Sequence, residues 1–82
     1  MTRLEIEMLM AADEFKEGII LRYESAFTKD ERLFELKFFN RYKDGTFSFA
    51  GRPISKEKGY YETMNNSWAI ADEKQIIRIE KI

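Results

Sequence analysis

The feature that most constrains this chain is an apolar period of two that runs through most of it, broken at short intervals by turn residues. Ile19, Leu21, Tyr23, Ser25 and Phe27 share one face of an extended segment, and Ile20, Arg22, Glu24 and Ala26 share the other. Thr28-Lys29-Asp30-Glu31 marks a turn. Phe34, Leu36, Phe38 and Tyr42 then fall opposite Leu33, Glu35, Lys37, Phe39 and Arg41. Lys43-Asp44-Gly45 is the strongest turn signal, because Asp-Gly readily supplies the positive φ angles of tight hairpins. In the next strand, Thr46 to Ala50, Phe47 and Phe49 point the same way. Residues 51–58 contain the only proline, Pro53, and are expected to form an irregular connection. Tyr60 to Met64 is the next predicted strand, and Asn65-Asn66 a two-residue turn. Ser67 to Ala71 places Trp68 and Ile70 on one face, with Trp68 expected in the core. Asp72-Glu73-Lys74 turns the chain, and Gln75 to Ile82 closes it with Ile77 and Ile79 on one face. Turns recurring every ~8–15 residues are the spacing of an antiparallel meander.

The N-terminal segment follows a different period. Leu4, Met8, Ala11, Ala12 and Phe15 form a stripe at helical spacing, which predicts a helix over about 2–17 with that stripe turned inward. Thr2 and Glu5 have capping-box spacing, and Gly18 is expected to cap the other end. Leu4, Ile6, Met8 and Met10 also alternate as a strand would, but Ala-Ala-Asp-Glu breaks that alternation and continues the helical one.

Together these patterns predict an α+β fold. One N-terminal helix packs on a strongly twisted antiparallel meander of five to six strands, with a small SH3-like or OB-like barrel as the alternative closure. At 82 residues, 1–82 is expected to be a single domain. Area scaling leaves roughly 64% of the unfolded surface buried, enough for one modest core.

Composition narrows the chemistry. Histidine and cysteine are absent. This removes thiol nucleophiles, the serine–histidine triad, imidazole and thiolate metal sites, and disulfides. Carboxylates cluster at Asp13, Glu14 and Glu17 and at Asp30 and Glu31 without a calcium-loop spacing, so a solvated acidic face is expected and no metal. Glu24, Glu35 and Glu62 lie on half-exposed strands, where cross-strand pairing with cations is the expected role. Gly45, Gly51 and Gly59 form no phosphate loop. The expectation is a non-enzyme without a cofactor. No apolar run is long enough for a transmembrane helix or a signal-peptide core, which makes the cytoplasm the expected compartment and a membrane an unexpected partner.

Two surfaces stand out. Residues 37–58 carry six basic side chains against two acidic ones, with Phe38, Phe39, Tyr42, Phe47 and Phe49 interleaved. Lys37, Phe39, Arg41, Lys43, Arg52 and Lys56 are therefore the candidate contacts for single-stranded DNA or RNA, with cations on phosphates and rings on bases. The competing assignment places these rings in the core. Residues 1–35 are acidic, with nine carboxylates against five cations, which opposes long-range attraction to a nucleic acid. The second surface lies on the helix. With Leu4 and Met8 inward, Ile6, Leu9 and Met10 face away, so Ile6 and Met10, with Phe39, are the candidate contacts for a protein partner or a second copy in a homodimer. The leading expectation is a small protein-binding module. Its size and charge asymmetry suit an inhibitor, of the kind phages and mobile elements encode, that blocks a larger host protein. Nucleic-acid binding is the alternative.

Overall fold

The computed structural model describes residues 1–57, 60–63 and 67–81. Helix α1 spans Arg3–Ala11 and starts as the capping-box spacing predicts. The Thr2 hydroxyl accepts from the Glu5 N–H at 3.2 Å, and the Glu5 carboxylate accepts from the Thr2 N–H at 3.2 Å. The helix ends six residues before the predicted boundary. Asp13 adopts the left-handed conformation at φ 58°. The N–H groups of Asp13 and Glu14 turn back onto the carbonyls of Met10 (3.1 Å) and Leu9 (2.8 Å), which is the double closure of a Schellman cap. Gly18 is not the cap. At φ 97° it turns the chain toward the sheet and donates its N–H to Leu36 O at 2.8 Å.

The predicted helix face is also reversed. Ile6 is fully buried, and Leu9 and Met10 pack against the core, while Leu4 and Met8 are 66% and 63% exposed. The helix is apolar around most of its circumference, so its stripe alone does not determine its rotation. The rotation observed is the one that buries Ile6 and also ties the helix to the sheet and to the β5–β6 turn by two ion pairs. Arg3 Nε lies 3.3 Å from Glu73, and Glu7 pairs with Arg41. With Arg3 and Glu7 held against the sheet, Ile6 and Met10 turn inward and Leu4 and Met8 turn out.

Six strands follow, β1 (Ile20–Glu24), β2 (Glu31–Arg41), β3 (Phe47–Glu57), β4 (Tyr60–Thr63), β5 (Ala69–Asp72) and β6 (Ile76–Glu80). All pairings are antiparallel, in the order β4-β3-β2-β1-β6, and β5 joins the same edge of β3 as β4. The molecule is thus an α+β domain with one helix on one face of an open sheet. The Asp-Gly hairpin forms as predicted. Asp44 Oδ1 accepts from both the N–H (3.0 Å) and the hydroxyl (2.6 Å) of Thr46.

Residues 51–57 form no loop. β3 runs through them, and Pro53 falls between Gly51 and Ile54, where β5 ends and β4 begins along the outer edge. Proline, which lacks an N–H, is tolerated at such a break in a ladder. At the far end of β1 the strand stops at Glu24. The turn that follows leaves Phe27 97% exposed, not on the core face with Leu21 and Tyr23. The predicted Asn65-Asn66 turn lies outside the described residues.

The core lies between α1 and the sheet. Phe15, Leu21, Phe34, Leu36, Phe47, Phe49 and Ile76 are almost wholly inaccessible. Phe15, just past the helix, stacks obliquely on Phe49 at 5.2 Å, and Tyr23 meets Phe34 edge-on at 5.1 Å. Consecutive strands β5 and β6 lie at opposite edges of the sheet. Laid flat, that separation is four strand intervals, about 19 Å. The four-residue step from Asp72 to Ile76 reaches at most about 14 Å. Gln75 N–H bonds back to Asp72 O at 3.0 Å, which shortens the step further. The sheet must therefore curl, bringing the start of β3 close to the β5–β6 turn. Curling stops short of closure, because among the described residues β6 pairs only with β1 and β5 only with β3.

Candidate functional site

The candidate contacts for a protein partner do not form one surface. Ile6 is 0% exposed and presents nothing to a partner, and Met10 is half-buried against the core. Phe39 is 40% exposed, but its ring packs at 6.2 Å from both Phe47 and Phe49.

The basic aromatic hairpin is likewise divided. Its strands shift register between Leu36 and Phe38, where a β-bulge inserts one residue. Beyond the bulge the alternation inverts. Phe34 and Leu36 face the helix side, whereas Phe38 leaves that face, and Phe39 and Arg41 take it over opposite Phe49 and Phe47. Tyr42, expected on the core face, is 57% exposed. Arg41 lies 5.0 Å over the Phe47 ring and is paired with Glu7, and Lys37 Nζ sits 2.6 Å from Glu35. Lys43 is exposed at the hairpin turn. Arg52 lies on the opposite face from Arg41. Lys56 pairs in register with Tyr61, and its side chain falls outside the described set. Phe47 and Phe49 belong to the core, so they offer no platform for bases.

The helix-free face carries a cluster that the sequence pattern placed inside. Phe38 pairs with Ala50, and Ala50 pairs with Ile70, so Phe38 and Ile70 flank one small residue in a row across β2, β3 and β5. Trp68 packs on Phe38 at 5.6 Å between ring centroids. The Arg52 guanidinium lies 3.7 Å above the indole, held by a 2.9 Å hydrogen bond that it donates to Ser67 O. Phe38, Trp68 and Ile70 are 52%, 50% and 70% exposed. The shared face of Trp68 and Ile70 was visible in their spacing, but its direction was not. A cleft of about 730 Å³ adjoins the cluster and is lined by Arg22, Glu31, Leu33, Ile54, Ser67 and Trp68, among others.

The charged groups beside this cleft are locked together. Arg22 donates two bonds of 3.0 Å to Glu80 and lies 3.5 Å from Glu31, and Arg78 lies 3.3 Å from Glu80. These cations, Arg22 first, hold the Glu80 carboxyl below its ordinary value of 4.5. The Thr28 and Thr46 hydroxyls do the same for Asp30 and Asp44, below 3.8. Such a set keeps its carboxylates ionised and is not poised to deliver a proton at neutral pH. Folded values below the unfolded ones mean that this stabilisation is present above about pH 4.5 and is lost as pH falls through the folded values. The urea midpoint is therefore expected to stay level from pH 7 to 5 and to fall below 4.5, and Glu80→Gln to weaken that fall. A midpoint unchanged at pH 3 would contradict this coupling.

Among the described residues no group of three or more acidic side chains is placed to hold a metal ion, and no helix is long and apolar enough to cross a membrane. No family model, curated protein or solved structure matches the chain.

Proposed function

We propose that the protein is a non-catalytic binding module whose protein-contact surface is the Phe38–Trp68–Ile70 cluster with Arg52. The observation that carries this reading is the stacking of Arg52 and Phe38 on Trp68 at a face of the sheet where Phe38, Trp68 and Ile70 each stay half exposed or more. Trp and Arg are the residues most enriched at binding hot spots, and here each is preorganised by the other, which lowers the ordering cost of association. The same stacking argues against a nucleic acid, since the indole face that a base would use is already covered by Arg52. Lys37 and Arg41 are neutralised by Glu35 and Glu7, and Arg52 lies on the opposite face from Arg41, which interrupts the cationic track that phosphates require. In this reading the protein acts by occupying a surface of a larger host protein, as a phage- or mobile-element-type inhibitor does, and works in the cytoplasm.

The test combines two measurements. A labelled single-stranded oligonucleotide is expected to show no anisotropy change even at low salt. Capture of a host protein from lysate is expected to be abolished by Trp68→Ala and by Ile70→Asp at unchanged Tm, the Trp68 truncation alone weakening binding by ~2 kcal/mol or more. Salt-sensitive oligonucleotide binding that is lost on charge reversal of Arg52 and Lys43 would replace this reading with the nucleic-acid one.

A further inference from the structure

The outer edge of β6 is unpaired among the described residues. An open edge offers a row of backbone donors and acceptors that only another extended strand can match. Ile76 O already accepts from the Met1 nitrogen, so the free stretch is Ile77 to Lys81. Beside it, on the helix side, lies an apolar groove of about 460 Å³ lined by Met1, Leu9, Ile79, Glu14 and Lys81. The groove opens where a strand added to this edge would place its inward side chains.

We propose that this edge binds the β6 of a second copy, antiparallel about a two-fold axis centred on Ile79. Symmetry and charge select that register. A two-fold axis perpendicular to the sheet keeps each residue on its own face, so beyond the β6 bulge between Ile76 and Arg78 odd-numbered positions can meet only odd-numbered ones, and even only even. Centring on Arg78 or on Glu80 sets like charges directly opposite each other, which is unfavourable. Centring on Ile77 places the axis on the bulge and sets the core-facing Ile76, whose carbonyl is already occupied, against the outward-facing Arg78. Centring on Ile79 sets Arg78 opposite the partner's Glu80 on the outer face, twice by symmetry. On the inner face it sets Ile79 beside the partner's Ile79, whose side chain then lies at the groove formed with Met1 and Leu9. Ile77 meets the partner's Lys81.

The protein has no cysteine, so a single introduced one reports its own contact. Under mild oxidation with oxidised glutathione, Ile79→Cys is expected to run as a disulfide-linked dimer, because directly opposed strand positions satisfy disulfide geometry. Ile77→Cys and Lys81→Cys are each expected to form no disulfide-linked dimer alone and to cross-link with each other when mixed, which preserves the test if Ile79→Cys disturbs the half-buried site. Light scattering at high micromolar concentration is expected to give twice the chain mass for the unmodified protein. Arg78→Glu, at a 57% exposed side chain, is expected to halve it with the circular dichroism unchanged. A monomer mass for the unmodified protein, or a dimer in which Ile77→Cys and Lys81→Cys fail to cross-link when mixed, would overturn the proposal.

Discussion

Gly51→Ala is expected to abolish cooperative folding. A Cβ at this position would sit 2.0 Å from the carbonyl oxygen of Glu35 and 2.5 Å from Cδ2 of Phe34. Gly51 pairs with Leu36 on one side and Ala69 on the other, so it has strands on both sides and neither can move away freely. Overpacking of a core ordinarily costs about 1–3 kcal/mol, where flexible side chains give way, and a 2.0 Å contact with central backbone that cannot give way lies well beyond that range. A domain of this size has only about 4–12 kcal/mol in total. The expected readout is a purified chain with no sigmoidal urea transition and dispersed NMR shifts lost. Shrinking the ring with Phe34→Leu in the same chain is expected not to restore folding, because the Glu35 oxygen remains. Restoration by that second change would show that the ring, not the backbone, sets the limit. Gly18→Ala is the contrasting control. Nothing lies within 4 Å of its added Cβ, and only the φ of 97° is penalised, at roughly 1–3 kcal/mol.

Glu73→Ala is expected to lower stability by about 3 kcal/mol, and Tm by more than about 10 °C. Glu73 is the one strongly buried carboxylate among the described residues, at 8% exposure. Its carboxylate accepts from the Phe47 N–H at 3.0 Å and from Arg3 Nε at 3.3 Å, while its own N–H donates to Phe47 O at 3.2 Å. One side chain thus ties together the start of β3, the β5–β6 turn and α1, the three parts that sheet curling brings close. Alanine would leave the buried Phe47 N–H without its acceptor and free the helix to rotate. Glu73→Gln keeps an acceptor for that N–H and is expected to recover about half of the loss. Equal midpoints for the alanine variant and the unmodified chain, by thermal or urea denaturation, would show that the curl holds without this contact.

Sequence alone determined whatever depends on neighbours along the chain. The Thr2–Glu5 capping box, the Asp44-Gly45 hairpin and the sharing of one face by Leu21 with Tyr23, by Phe34 with Leu36 and by Phe47 with Phe49 all follow from local hydrogen bonding or from an uninterrupted period of two. Tertiary structure decided whatever depends on which side of an element meets the core. The helix shows this at Ile6. Its apolar residues run around most of the circumference, and the side that faces the core is the one that also pairs Arg3 with Glu73 and Glu7 with Arg41, across separations of 70 and 34 residues. The bulge after Leu36 shows it again. One extra residue moved Phe38 out and carried Arg41 over to the helix side, splitting a basic hairpin that looks continuous in the sequence. Trp68 and Ile70 share a face by spacing, but only the pairing of Ile70 with Ala50 and of Ala50 with Phe38 reveals that this face lacks a helix. A period of two states which residues go together. It carries no sign, and the sign is supplied by contacts made far along the chain.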